Sequence, residues 1–130
     1  MAANDQIADL LTRIRNAKEA RHRYVDLRST RILVGIVKVL KDQGFIANYL
    51  VDDKKSKMRI FLKYLAGRKP VIRELKRVSK SGLRRYVRCD QIPRVCSGFG
   101  IAILSTHKGI IDGETARKEK TGGELLCTIS

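Results

Sequence analysis

Five consecutive residues, Ser105-Thr106-His107-Lys108-Gly109, concentrate the hydrogen-bonding chemistry of this 130-residue chain. Two hydroxyls, an imidazole and an ammonium can all donate, and a glycine lets backbone come close to a ligand. The five follow a short apolar run, Ile101-Ala102-Ile103-Leu104, which reads as a strand covered on both faces. A rigid element would thus lead straight into a polar loop suited to an oxygen-rich surface. The same residues suit nucleophilic catalysis poorly. Ser105 has only His107 as a candidate base, two residues on and on the same face if the strand continues. The other histidine, His22, sits in a basic Ala-Arg-His-Arg stretch that reads as a solvated loop. Cys89, Cys96 and Cys127 lack a second Cys or His pair at zinc-ligand spacing, and Cys127 alternates within a strand as a core residue would. An odd cysteine count of this kind reads as reduced thiols in a cytosol rather than a disulfide framework. The expectation is no enzyme, no metal and no cofactor.

Charge is the second signal. The chain holds 28 Lys or Arg against 13 Asp or Glu, a formal net charge of +15. Residues 54–94 carry fifteen of those basic residues and only two acids, Glu74 and Asp90, whereas residues 95–130 carry four of each sign. A field this one-sided repels itself and becomes useful only against a polyanion. A membrane surface fits less well than nucleic acid, because apolar residues in 68–88 are scattered at strand-like spacing and build no large apolar helical face. No apolar run approaches the roughly 20 residues of a membrane span. Residues 1–9 are polar with two Asp, which matches neither a secretory nor a transit peptide. A DNA-binding reading lacks a helix-turn-helix or zinc-finger signature and a recognition helix carrying the charge.

The elements that must position these groups follow from periodicity. Ile7, Leu10, Leu11, Ile14 and Ala17 recur at helical spacing, with Asn4 or Asp5 as the cap. A short strand is expected at 24–27. A second helix opens near Ser29 or Thr30, buries Ile32, Leu33, Ile36, Val37 and Leu40, and stops at Gly44. Residues 45–51 and 58–64 alternate on either side of a polar connection at 52–57, as a hairpin does. Past the Ala66-Gly67-Arg68-Lys69-Pro70 boundary, strands are expected at 71–78 and 83–87 around a Ser79–Gly82 turn. Asp90 would cap a helical turn reaching Val95, and Asp112 a helix over 113–118. Thr121-Gly122-Gly123 would turn into a last strand at 124–129. The prediction is an α+β chain of two small lobes. Residues 1–66 form an α-β-α-β-β unit, and residues 67–130 a mostly β unit with short helices.

Four blocks occur in order: Ile-Ala-Asp-Leu-Leu-Thr-Arg-Ile-Arg-Asn-Ala (7–17), Leu-Lys-Arg-Val-Ser-Lys (75–80), Gly-Ile-Ala-Ile-Leu-Ser-Thr-His-Lys-Gly (100–109) and Gly-Gly-Glu-Leu-Leu-Cys (122–127). Together they closely resemble the bacterial-type ribosomal small-subunit protein eight family, over essentially the whole chain. The resemblance implies a structural protein of the small ribosomal subunit. It would bind the central domain of 16S rRNA as a primary binder and help assemble the platform. It further implies a cytoplasmic location within the ribosome, small-subunit proteins five and twelve as neighbours, and feedback binding to its own messenger RNA.

The resemblance also assigns residues. The family's Ser-Thr-Ser-Lys-Gly loop, at the centre of the RNA contact of the C-terminal lobe, falls on Ser105, Thr106, His107, Lys108 and Gly109. The Gly-Gly-Glu corner falls on Gly122, Gly123 and Glu124, and Tyr86 is the aromatic contact. Through Thr12, Arg13, Arg15 and Asn16, the N-terminal lobe would touch a second RNA segment. Two departures stand out: His107 replaces the usual Ser, and Ser81-Gly82 replaces the usual Pro-Gly. Among the cations, Lys76, Arg77, Lys80, Arg84, Arg85 and Arg88 are expected to neutralise phosphates and fix the pose without reading sequence. Neutralising about six phosphates would cost roughly 10³-fold in affinity between 50 and 200 mM salt. Glu124 would accept from a base amino group or a backbone N–H, or simply order the loop; Tyr86 would be a stacking platform or a core residue.

Overall fold

A computed structural model describes residues 3–130, apart from the side chains of residues 3–5 and of Ser97. The chain divides into two compact units, Met1–Arg73 and Glu74–Ser130.

The first unit opens with α1 (Ala3–Glu19), whose apolar face buries Ile7, Leu10, Leu11, Ile14 and Ala17. Asn4 and Asp5, expected to precede this helix as its cap, fall inside its first turn, and their side chains lie outside the described residues. After β1 (Tyr24–Arg28), α2 (Arg31–Asp42) is capped by the Thr30 hydroxyl, which accepts the Leu33 N–H at 3.3 Å. It buries Leu33, Ile36, Val37, Val39 and Leu40, while Ile32 stays half-buried. Gly44 follows at φ +81°, the left-handed conformation that lets the chain leave the helix. The strands β2 (Ile46–Asp52) and β3 (Lys57–Leu62) form the expected hairpin, and β1 pairs with the other edge of β3. Asp52 turns the hairpin by accepting the Lys54 and Lys55 N–H groups at 3.1 and 3.3 Å. Leu27, Ile46, Met58, Ile60 and Leu62 face the helices and complete one core. A small hairpin of β4 (Tyr64–Leu65) and β5 (Lys69–Pro70) keeps the 67–73 segment with this unit, and the Val71 N–H returns to the Lys63 carbonyl.

The second unit is built on one antiparallel sheet. Its strands are β6 (Leu75–Arg77), β7 (Tyr86–Val87), β8 (Ile101–Thr106), β9 (Gly109–Asp112) and β10 (Gly123–Ile129). The order is β6-β10-β8-β9, with β7 also paired to β10. Every residue of 101–104 is buried, as the unbroken apolar run implies. Asp112 caps α3 (Gly113–Lys118) by accepting the Thr115 N–H. Ile92, Ala102, Leu104, Ala116 and Leu125 pack as a core beneath it.

Three expectations need correction here. The strand expected at 71–78 is only Leu75–Arg77, and the one at 83–87 only Tyr86–Val87. Between them Lys80 and Leu83 exchange both backbone hydrogen bonds around Ser81-Gly82, which uses those residues in a tight turn. The helical turn expected from Asp90 to Val95 is two 3₁₀ turns, Cys89–Gln91 and Val95–Gly98, with Pro93 between them. Ile92 is extended, at ψ +124°, because the proline ring disfavours helical backbone in the residue before it. Finally, Gly109–Asp112 is a strand that periodicity did not mark, since Gly-Ile-Ile-Asp is too short to alternate.

Candidate nucleic-acid interface

The β8–β9 hairpin closes on two residues. Thr106 pairs with Gly109, so Ser105 and Thr106 end one strand, Gly109 begins the next, and His107 and Lys108 alone form the tip. Gly109 adopts φ +106°, which a side chain would resist. The Thr106 hydroxyl donates to the Gly109 carbonyl at 3.0 Å and accepts the Lys108 N–H at 3.1 Å. Its proton is therefore committed to the turn, and its methyl lies against Gly123. Ser105 is half-buried and makes no side-chain hydrogen bond among the described residues, so its hydroxyl remains free to donate. No hydrogen bond links it to His107, which is exposed. The Lys108 ammonium reaches only to 3.8 Å from Glu119.

Pairing in the sheet brings distant sequence blocks to this hairpin. Glu124 on β10 lies opposite Ser105 on one side and opposite Tyr86 on the other. Close approach there requires the glycine corner. A Cβ on Gly122 would stand 2.5 Å from the Val87 carbonyl oxygen, and one on Gly123 would collide with the Ser105 carbonyl. Tyr86 is 71% exposed, which overturns its alternative reading as a core residue.

Glu124 has its own explanation in this geometry. Its carboxylate, only 16% exposed, accepts from the Ser79 hydroxyl and, at 3.0 Å, from Arg84 Nη1. Ser79 is fully buried, and its oxygen also accepts the Arg85 N–H at 3.3 Å. Arg77 donates from Nε to the Ser79 carbonyl at 2.6 Å. An acid beside a basic loop thus ties residues 77–86 to the sheet, which is the loop-ordering alternative for Glu124. Arg77, half-buried, belongs to this scaffold. Sequence reasoning missed Ser79, because its burial comes from a partner 45 residues away and leaves no local pattern.

The remaining cations are exposed. Lys76 sits 3.3 Å from Glu74 and Arg88 3.7 Å from Asp90. Such solvated pairs bind weakly and can exchange for phosphate. Lys80 and Arg85 are exposed near the same loop. In the first unit Thr12, Arg13 and Asn16 are exposed on α1 and Arg15 is half-buried. Arg13 is held by Asp9 at 2.9 Å and by the Asp26 carbonyl at 3.4 Å.

The cysteines do not converge: among the described residues no group of His, Cys, Asp or Glu is arranged to hold a metal. Cys127 is fully buried, and burial pushes its thiol up to about 12. Among the described residues no helix is long and apolar enough to cross a membrane.

A polar hairpin tip and an exposed tyrosine at one end of a sheet, with solvated cations there and, at Lys76, towards its other end, define a class: an α+β protein whose surface suits a polyanion with ring faces to stack on. Comparison with known proteins narrows the class. The model of the family described as Ribosomal protein S8 matches residues 5–130. A small ribosomal subunit protein uS8 from Chlamydia abortus is 55% identical over 128 residues, covering 97% of this chain and 96% of that protein. Its namesake from Geotalea uraniireducens is 51% identical over 131 residues, 99% of each chain. The chain belongs to the ribosomal protein S8 family, and that membership points to a structural role in the small ribosomal subunit.

Proposed function

We propose that this protein is an rRNA-binding component of the small ribosomal subunit. It grips the central domain of 16S rRNA as a primary binder and helps assemble the platform. The observation that supports this best is the alignment of Tyr86, Glu124 and Ser105 across β7, β10 and β8, directly behind the His107-Lys108 tip. Duplex RNA has a major groove too deep and narrow for side chains, so recognition falls on the shallow minor groove, 2′-hydroxyls and unpaired bases. A free Ser105 hydroxyl and a narrow hairpin tip fit that surface. Tyr86 offers a ring to an unstacked base, worth roughly 1–3 kcal/mol. His107 offers an imidazole where the family resemblance implies a serine hydroxyl. Lys108, Lys76, Lys80, Arg84, Arg85 and Arg88 supply charge, while Arg77, Gly122, Gly123 and Glu124 act by holding the loop and the sheet corner. Thr12, Arg13, Arg15 and Asn16 on α1 would meet a second RNA segment. On this reading the protein works in the ribosome in the cytoplasm, beside small-subunit proteins five and twelve. The same surface would take a stem of its own messenger.

The test is affinity for the central-domain stem and for a scrambled stem. Lys76→Ala should weaken both and flatten the salt slope by about one. Ser105→Ala should weaken the first alone. Equal losses on both RNAs from both variants would end the division between charge and selection. Footprinting on whole small-subunit RNA should then show protection confined to one central-domain stem.

A further inference from the structure

We propose that the open face of the first unit's sheet, centred on Tyr24, Arg59 and Phe61, is a separate platform on which unpaired ribonucleotides stack. The strands of this sheet turn one face to α1 and α2 and the other outward. Register places Tyr24 opposite Phe61, Asp26 opposite Arg59 and Arg28 opposite Lys57, all on the outward face. The two rings stand 6.3 Å apart, tilted by 58°, and the Arg59 guanidinium lies 4.0 Å over the Tyr24 ring. Arg59 is held there by two hydrogen bonds to Asp26, of 2.8 and 3.0 Å. Tyr24 is nevertheless 43% exposed, and α1 and α2 bury the opposite face of the sheet among the described residues.

Rings on a sheet surface are ordinarily covered, because leaving them wet forgoes their burial. The Arg59 guanidinium, held flat over Tyr24, and the neighbouring Phe61 ring present planes on which bases stack, since both aromatic and guanidinium planes accept a base. Charge complementarity identifies the occupant as nucleic acid rather than an apolar protein segment. The unit holds seventeen basic and seven acidic residues, and Arg23, Arg28 and Lys57 border the platform. Its two nearby acids are engaged, Asp26 by Arg59 and Asp52 by the hairpin turn. Tyr24 and Arg28 are four residues apart on one strand, about 13 Å, so phosphate-binding cations lie within reach of a base stacked on the rings. This face is distinct from the Thr12–Asn16 side of α1 and from the hairpin of the second unit, and the proposal stands without either.

The experiment titrates the full chain with a labelled single-stranded oligoadenylate of about ten nucleotides, and in parallel with inorganic polyphosphate and with the central-domain stem. Substituting Tyr24→Leu together with Phe61→Leu keeps apolar bulk and removes both rings. Oligoadenylate affinity should fall about tenfold per ring, while polyphosphate and stem binding stay unchanged. Should the double variant fold poorly by circular dichroism, Arg59→Lys keeps the charge on an exposed site and removes the plane. It should lose oligoadenylate affinity by about fivefold. Equal oligoadenylate affinity of wild type and variants would reduce the face to bulk charge and overturn the proposal. Failure of the wild type to bind oligoadenylate would overturn it too, leaving the face to a protein neighbour. Loss of stem binding by Ser105→Ala bears only on the hairpin.

Discussion

The two settings an acid can take in this protein are shown by one acid–base pair from each unit. In the second, Glu124 points inward, is largely buried, and gathers Ser79 and Arg84 so that a basic loop keeps its shape. In the first, Asp26 and Arg59 meet on an open face, where both side chains remain about half exposed. Glycines show a similar contrast, although Gly109 of the second unit shares the open, left-handed setting. Gly44 and Gly67 are needed only for left-handed backbone and have open space around them, whereas Gly122 and Gly123 are needed because another strand's backbone occupies the room of a side chain. The second unit therefore depends on interior contacts to hold its basic loop and sheet corner. The first has a self-sufficient core and carries its charge on the outside. An acid in a strongly basic protein can thus be a structural part or a surface tether, and burial separates the two cases.

The comparison can be broken most readily at Gly123. Gly123→Ala forces a methyl into the Ser105 carbonyl and should cost about 3 kcal/mol in a urea melt, where an alanine at exposed Ala-like positions of α1 would cost almost nothing. A loss below the resolution of the melt would show that the β8–β10 corner yields easily. Next is Glu124→Ala, which strands the buried Ser79 hydroxyl and should cost about 2 kcal/mol. Glu124→Gln keeps an acceptor for Ser79 and should recover about half of that loss; equal melts for the two variants would mean the hydroxyl is satisfied some other way. The buried thiol gives a smaller, pH-dependent effect. Folding raises Cys127 from 9.0 to about 12, so the folded chain keeps a proton that the unfolded chain gives up. That contribution is complete below pH 9 and fades as pH climbs from 9 towards 12. Cys127→Ser should lack this component of the alkaline loss, and iodoacetamide should label exposed Cys96 well before Cys127. Smallest is Asp26→Asn. The Arg59 hydrogen bonds hold the Asp26 carboxyl below its usual 3.8, so its contribution exists above that pH and disappears as pH falls through the depressed value. The exposed pair is worth little, so Asp26→Asn should lower the neutral-pH melting midpoint only slightly, and even that difference should vanish in the acid limb. A large neutral-pH drop would erase the contrast with Glu124.

Much of the architecture was legible from local pattern. The helical spacing from Ile7 to Ala17, the Thr30 cap and the Gly44 exit all correspond to contacts within a few residues, which periodicity records. The 71–78 and 83–87 strands read too long because β propensity in Val71, Ile72 and Leu83 says nothing about whether a partner strand reaches them. The candidate site was legible as a set of residue types at 105–109, but not as a two-residue tip, since only pairing of Thr106 with Gly109 shortens the loop. The Tyr24, Arg59 and Phe61 cluster left no trace in the sequence: its members lie on two strands separated along the chain by α2 and β2.

Composition and spacing by themselves determined that this chain is strongly basic, α+β, and built around a polar segment following a buried strand, because charge and periodicity are properties of neighbours in sequence. Only tertiary structure decided which polar groups remain available. It turned the Thr106 proton, Arg77 and Glu124 inward and left Ser105, Tyr86 and the first unit's aromatic face outward. The physical reason is that a hydrogen-bonding group is used up by whichever partner strand pairing brings within about 3 Å, and that partner can lie dozens of residues away.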